Sequence, residues 1–354
     1  MMKKIQWKDN LLKEITNETN GFIDWHVHIG DEVDFLELMD NFSTDFIEID
    51  GLELKGVNLI LNTHQEVEKW KRYLKKEVLK KMAAGNKFIF VTIPILATSE
   101  LQKLSLSIFK AIDDKDLGEA VTLLRDFLTS GFEIFEKEIR SIIGDTANER
   151  YSVILIKVHP RLIVEEFMGF WGGKSISIAG KLRLLQDLWD LIANFMILLK
   201  HKLKRAGYKK VGYFVDCFSW GDAGSYSFKF LETLSFYLKN FGNCKSERLL
   251  PEDIVICHAC SHWIKEFEMK FYRPFNRRFW IDLSAVHYFS NSKKVMMEFE
   301  EFVRNLNIEK TVIGTDWPLV LPEFRNLRGE ERKSQQWYSY VATFKWILKI
   351  LLKN

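Results

Sequence analysis

The chain has 354 residues, 47% hydrophobic and 28% charged, a balance that supports a large folded core and excludes disorder as the main state. Lys and Arg number 51 against 48 Asp and Glu, and a net charge of +3 gives no field strong enough to bind nucleic acid on charge alone. Four cysteines, Cys217, Cys244, Cys257 and Cys260, are too few and too unevenly spaced for a disulfide framework, which points to a reducing, cytoplasmic setting. The most apolar stretch, 188–199, is interrupted by Asp190 and Asn194, and the first residues lack an apolar run, so neither a membrane span nor a secretion signal is expected.

Short apolar runs of strand length recur along the chain at 22–25, 57–61, 88–95, 153–157, 212–216, 254–257, 279–283 and 311–314. Between the second and third, Val67, Trp70, Leu74, Val78 and Met82 fall at steps of three or four, with lysines on the other face and Gly85 as a stop. Residues 99–142 and 178–207 are two long helical stretches. The second carries Leu182, Leu185, Leu188, Trp189, Ile192 and Met196 before a basic end. A last helix over about 332–353 places Trp337, Tyr340, Phe344, Ile347 and Leu351 on one face.

Eight strand–helix units without a Gly- and Pro-rich linker predict one domain over 1–354, an α/β fold of the (β/α)8 TIM-barrel type with helical insertions. A doubly wound sheet is the alternative, but the first strand lacks the Gly-rich turn that a dinucleotide site needs there.

Chemistry-bearing residues collect at the strand ends. His26 and His28 lie two apart at the end of the first strand, so a period of two aims both imidazoles into the barrel, where they can share a metal ion. Asp316, after the last strand, stands where barrel active sites are built and can ligate a metal or shuttle a proton; otherwise it caps a helix. His258, after the sixth strand, faces inward if the register continues, which would turn Cys257 toward the helix layer. The Cys257–Cys260 pair has no second pair with which to build a structural zinc site, so its thiols are read as core residues.

Lys157 and His159 share a face of the fourth strand, with Arg161 just beyond as a clamp for a carboxylate. A buried Lys157 must be modified, displaced or paired, with Asp216 or Asp24 as partner. Residues 169–175 are one residue short of a phosphate-binding loop; Phe170, Trp171 and Gly172 suit a lid over the mouth.

Taken in order, His26-Val27-His28, Ile156-Lys157-Val158-His159-Pro160, Val255-Ile256-Cys257-His258, Ile281-Asp282-Leu283-Ser284 and Gly314-Thr315-Asp316-Trp317-Pro318 resemble the amidohydrolase superfamily, specifically its amidohydrolase-related branch of one-metal hydrolases and non-oxidative decarboxylases. The resemblance implies that His26, His28 and Asp316 ligate the metal and that His258 stands near the substrate carbonyl. It departs from the family at the fifth strand, where Asp216 stands in place of a ligand histidine. A carboxylate there is still a competent ligand and shifts preference from zinc toward manganese.

The expectation is therefore a hydrolase with one divalent ion, zinc or manganese, held by His26, His28, Asp216 and Asp316, with Asp316 and His258 catalytic. Lys157, His159, Arg161 and Trp171 would meet a small-molecule substrate. A decarboxylase on the same site is the alternative among enzymes, and a carbamylated Lys157 bridging two ions is the alternative metal arrangement. A metal-free barrel whose insertions dock a protein partner or a second copy is the alternative outside enzymes.

Overall fold

Runs of β-branched and aromatic residues form eight parallel strands, and every crossover between them is long enough to hold a helix. The computed structural model describes residues 21–44, 48–49, 52–171, 178–217, 224–240, 249–285, 293–318, 322–324 and 326–352. In chain order the barrel strands are β1 (Gly21–Val27), β2 (Leu52–Ile60), β3 (Phe88–Pro94), β4 (Val153–Val158), β5 (Lys210–Val215), β6 (Ile254–Ile256), β7 (Trp280–Asp282) and β8 (Thr311–Val312). Each pairs with the next in parallel, and a two-residue strand, Glu48–Ile49, adds antiparallel to the start of β2.

The ring closes between β1 and β8. Trp25 N donates to Ile313 O at 2.8 Å, Asp316 N to His26 O at 2.8 Å and His28 N to Trp317 O at 3.0 Å. The buried Asp24 carboxylate reinforces this seam, accepting from Thr315 N at 3.1 Å and from Thr315 Oγ1 at 2.7 Å. The expected (β/α)8 barrel is thus the observed fold.

Two hydrophobic assemblies share the strands. Ile23, Trp25, Ile60, Phe90, Leu155, Phe214, Val255, Trp280 and Val312 fill the barrel interior. Val57, Leu59, Val91, Ile93, Ile154, Ile156, Val215, Ile254, Ile256 and Ile281 face the helices. This is why the strands read as continuous apolar runs, since both faces of a parallel strand are covered.

The helix over 64–84 buries the expected stripe of Val67, Trp70, Leu74, Val78 and Met82, with Thr63 as its N-cap and one π turn at Trp70–Leu74. The stretch at 99–142, read from sequence as continuous, is two helices, Ser99–Asp113 and Leu117–Ile143. The chain reverses at Lys115, whose φ is 62°, and Asp116 caps the second helix by accepting from Glu119 N. The other insertions are Pro160–Trp171 and Ile178–Arg205, and Gly329–Leu352 closes the described chain.

Strand β3 begins to pair with β4 only at Thr92, and a side chain serves the residue before it. Asn148, fully buried on the short helix Ala147–Tyr151, accepts from Val91 N at 2.6 Å and donates to Val91 O at 3.0 Å. Asn148→Ala strands both backbone groups away from water, at about 1–3 kcal/mol for each. Denaturant unfolding should show a clearly lower midpoint with an unchanged slope; a midpoint equal to the unsubstituted protein's would mean that the amide is dispensable.

Candidate metal and catalytic site

At the C-terminal ends of the strands the apolar filling gives way to polar side chains. A register shift in β1 makes this possible. The pairing of β1 with β2 slips between Asp24 and Val27, so Ile23 and Trp25 point into the barrel, yet His26 and His28 do as well. The extra residue is absorbed where Asn58 Nδ2 donates to Trp25 O at 3.0 Å. Asp24 is left on the side of the helix layer, with Thr315 and Tyr340, and is not a partner of Lys157. Burial pushes its carboxyl up to about 7.

His26, His28 and Asp316 converge. His28 Nε2 lies 3.0 Å and His26 Nε2 3.4 Å from Asp316 Oδ1, and the two Nε2 atoms are 3.2 Å apart. The opposite edges of both rings are occupied: His26 Nδ1 donates to Asp282, and His28 Nδ1 to Ile60 O at 3.2 Å. With each Nδ1 used as a donor, a neutral ring turns a bare Nε2 toward the Asp316 carboxylate, whereas a charged ring would donate to it. Burial, with Lys157 nearby, holds His26 well below the ordinary histidine value. Burial would raise Asp316, but His258 and the histidine pair bring its carboxyl down to about 2.

This donor set fits a divalent cation. Two neutral imidazoles and a carboxylate are ordinary ligands for zinc or manganese, and tetrahedral ligands about 2.0–2.1 Å from an ion sit about 3.3–3.4 Å from one another. Asp282 beneath His26 and the Ile60 carbonyl beneath His28 would serve as the outer partners of such ligands. His258 also presents a ring nitrogen within 4.8 Å of the donor atoms of His26 and Asp316, and Cys257 and Asp282 form a second such group with His26.

Space for the His26 ring depends on Gly314, because a Cβ at that position would lie 2.4 Å from His26 Cβ. Ser284 ties the floor together. Its hydroxyl donates to Asp282 Oδ2 at 2.7 Å and lies 2.9 Å from His258 Nδ1, which also donates to the Ser284 carbonyl at 3.2 Å.

The sixth strand differs from expectation. A strict period of two turns Cys257 outward when His258 faces in, whereas both reach the interior: Cys257 Sγ is 3.6 Å from Lys157 Nζ, and His258 Nε2 is 3.3 Å from Asp216 Oδ2. The cause is a left-handed turn directly after β6, with φ of 58°, 46°, 60° and 48° at His258, Ala259, Cys260 and Ser261. Without a glycine among them, such residues cost roughly 1–2 kcal/mol each, strain of the kind that gathers at functional sites. Cys217, Cys257 and Cys260 are free, buried thiols, as expected for core cysteines.

Asp216 occupies the strand-five position and binds Lys157, the first of its two proposed partners. Lys157 Nζ lies 3.0 Å from Asp216 Oδ2, with His159 Nε2 3.7 Å from the same oxygen. Burial works against the Lys157 ammonium, but Asp216 and Cys257 hold its affinity for the proton above the ordinary lysine value. Carbamylation needs a neutral amine, so this pairing disfavours the bridged two-ion arrangement. His159 is depressed to about 3, chiefly by burial. Arg161, at the start of the helix Pro160–Trp171, points Nε toward Glu165 at 3.5 Å. The Trp171 side chain and residues 172–177 lie outside the described residues.

Asp282, Ser284 and Cys257 are site residues to which sequence reasoning gave no role. For the first two a signal existed, since Asp282 and Ser284 alternate at the end of a strand as His26 and His28 do.

Comparison with protein-family models, with curated proteins and with solved structures finds no match to this chain. Among the described residues no helix is long and apolar enough to cross a membrane.

Asp216→Asn tests the strand-five position. It removes the charge facing Lys157, and breaking a buried pair costs about 3–5 kcal/mol. We expect a large drop in unfolding temperature with little change in the affinity for added zinc or manganese. A weakened affinity with unchanged stability would instead make Asp216 a ligand.

Proposed function

We propose that the protein is a metal-dependent hydrolase acting on a C–N or C–O bond of a small molecule. The observation that carries this reading is the convergence of His26 Nε2, His28 Nε2 and Asp316 Oδ1 within 3.4 Å of one another, with both Nδ1 atoms already committed as donors. Such a group is stable when a cation stands among its lone pairs. The ordered motifs that resemble the amidohydrolase-related branch support the same reading.

His26, His28 and Asp316 would hold one divalent ion, which would supply Lewis acidity and water activation. The chain's own groups divide the remaining work. Asp316 gives Oδ1 to the trio, and its carboxylate would accept the proton of an attacking water. His258 is held at both ring nitrogens, by the Ser284 carbonyl and by Asp216. Burial disfavours its charged form, yet Asp316, Asp216 and Asp282 raise its proton affinity. Its Nε2–H, which faces Asp216, would be the proton offered to an oxygen on which negative charge develops. The Lys157 ammonium offsets the charge of Asp216, so the two carboxylates do not add up against an anionic transition state. Arg161 and His159 line the strand-four side, where the substrate enters in this reading.

Two measurements test it. Elemental analysis of protein purified without chelator should find about one divalent ion per chain, and His28→Ala should fall below a tenth of an equivalent. An unsubstituted protein that takes up no zinc or manganese would remove the hydrolase and decarboxylase readings together and favour a metal-free barrel. His258→Gln should keep the metal yet lose at least about 100-fold in turnover of any substrate found, the usual contribution of a positioned proton donor. Joint loss of metal and turnover would make His258 a ligand.

A further inference from the structure

The end of β2 contributes a residue that the catalytic scheme leaves unused. Asn62 stands two residues beyond Ile60, on the same side of the chain, half-buried between the His28 ring and the first turn of the helix over 64–84. Its amide nitrogen lies 3.2 Å from His28 Nδ1, and its amide oxygen is buried without a hydrogen-bond partner.

These contacts conflict. The Ile60 carbonyl, 3.2 Å from His28 Nδ1, can only accept, so Nδ1 carries the hydrogen. An Asn62 NH2 facing that N–H sets donor against donor. The oxygen and nitrogen of a side-chain amide are nearly isosteric, and their assignment follows from the hydrogen-bond network. Exchanging them removes the conflict: Oδ1 then accepts from His28 Nδ1–H alongside Ile60 O. The amide nitrogen then becomes the buried atom without a partner.

We propose that Asn62 is a positioning residue for the metal site: its amide oxygen joins the Ile60 carbonyl in holding the tautomer of His28 and keeps Nε2 free to ligate. The role parallels that of Asp282 beneath His26, so each imidazole is held from behind by a side-chain oxygen. The inference rests on the metal reading above, and its test is arranged so that the two can fail separately.

The experiment compares Asn62→Ala and Asn62→Asp by titrating chelator-stripped protein with zinc and with manganese, beside thermal unfolding without metal. A carboxylate can accept the His28 N–H but cannot donate. Alanine should weaken affinity about 10–100-fold, the usual effect of losing an outer partner, and aspartate should bind as tightly as the unsubstituted protein or more tightly. A purely structural amide would lower the unfolding temperature without separating the two variants in affinity. Aspartate as weak as alanine, or alanine equal to the unsubstituted protein, overturns the proposal. Nitrogen chemical shifts of the His28 ring in metal-free protein supply the independent arm. A protonated Nδ1 with a bare Nε2, lost as a single tautomer in Asn62→Ala, supports the role even if the unsubstituted protein binds no metal, in which case the metal reading alone fails. The reverse tautomer, or one unchanged by the substitution, overturns it.

Discussion

Closure of the sheet between β1 and β8 is the constraint on which the site depends. His28 and Asp316 are 288 residues apart, yet three backbone hydrogen bonds across the seam bring their side chains to 3.0 Å. Asp24 reinforces that seam from behind by binding Thr315, the residue next to Asp316. Without closure, Asp24, Thr315 and the edge groups of both strands would be buried without partners, at about 1–3 kcal/mol each. The same bonds that stabilise the ring therefore assemble the acceptor cluster at its mouth.

Departures from regular geometry in β1, after β6 and after β8 serve the site. The slip in β1 lets consecutive residues Trp25 and His26 both face inward, one into the apolar filling and one into the polar layer. The left-handed turn after β6 does the same for Cys257 and His258. Gly314, two residues after β8, leaves the volume that the His26 ring requires. Each departure has a cost in backbone strain or lost packing, and the stable apolar ring beneath is what sustains it.

Charge in the layer is balanced in pairs. Lys157 with Asp216, and the histidine pair with Asp316, place opposite or complementary groups within 3.4 Å of one another. Asp216 shows how one carboxylate sets the electrostatics of the layer. As a carboxylate at the end of β5 it recruits Lys157 and orients His258, where an imidazole would have left the ammonium unpaired. A low-dielectric interior penalises any such group left alone, so the fate of Lys157 and that of Asp216 are linked.

Much of this was present in the sequence. Eight apolar runs separated by helical periodicities specify the barrel, because parallel strands covered on both faces need that pattern and no other common fold repeats it eight times. That His26 and His28 share one face was legible from a period of two, and the strand-end place of Asp316 from the apolar run before it, but that the shared face is the interior depends on the slip in β1. Local rules could not reveal that His258 turns inward beside Cys257, because a left-handed turn of four non-glycine residues has no signature in residue type. Nor could they choose between Asp24 and Asp216 as the partner of Lys157, or give a role to Asp282, Ser284 and Asn62. Those outcomes depend on which strand ends meet across the ring, and distances through the barrel are set by closure, twist and register of the whole sheet rather than by spacing along the chain.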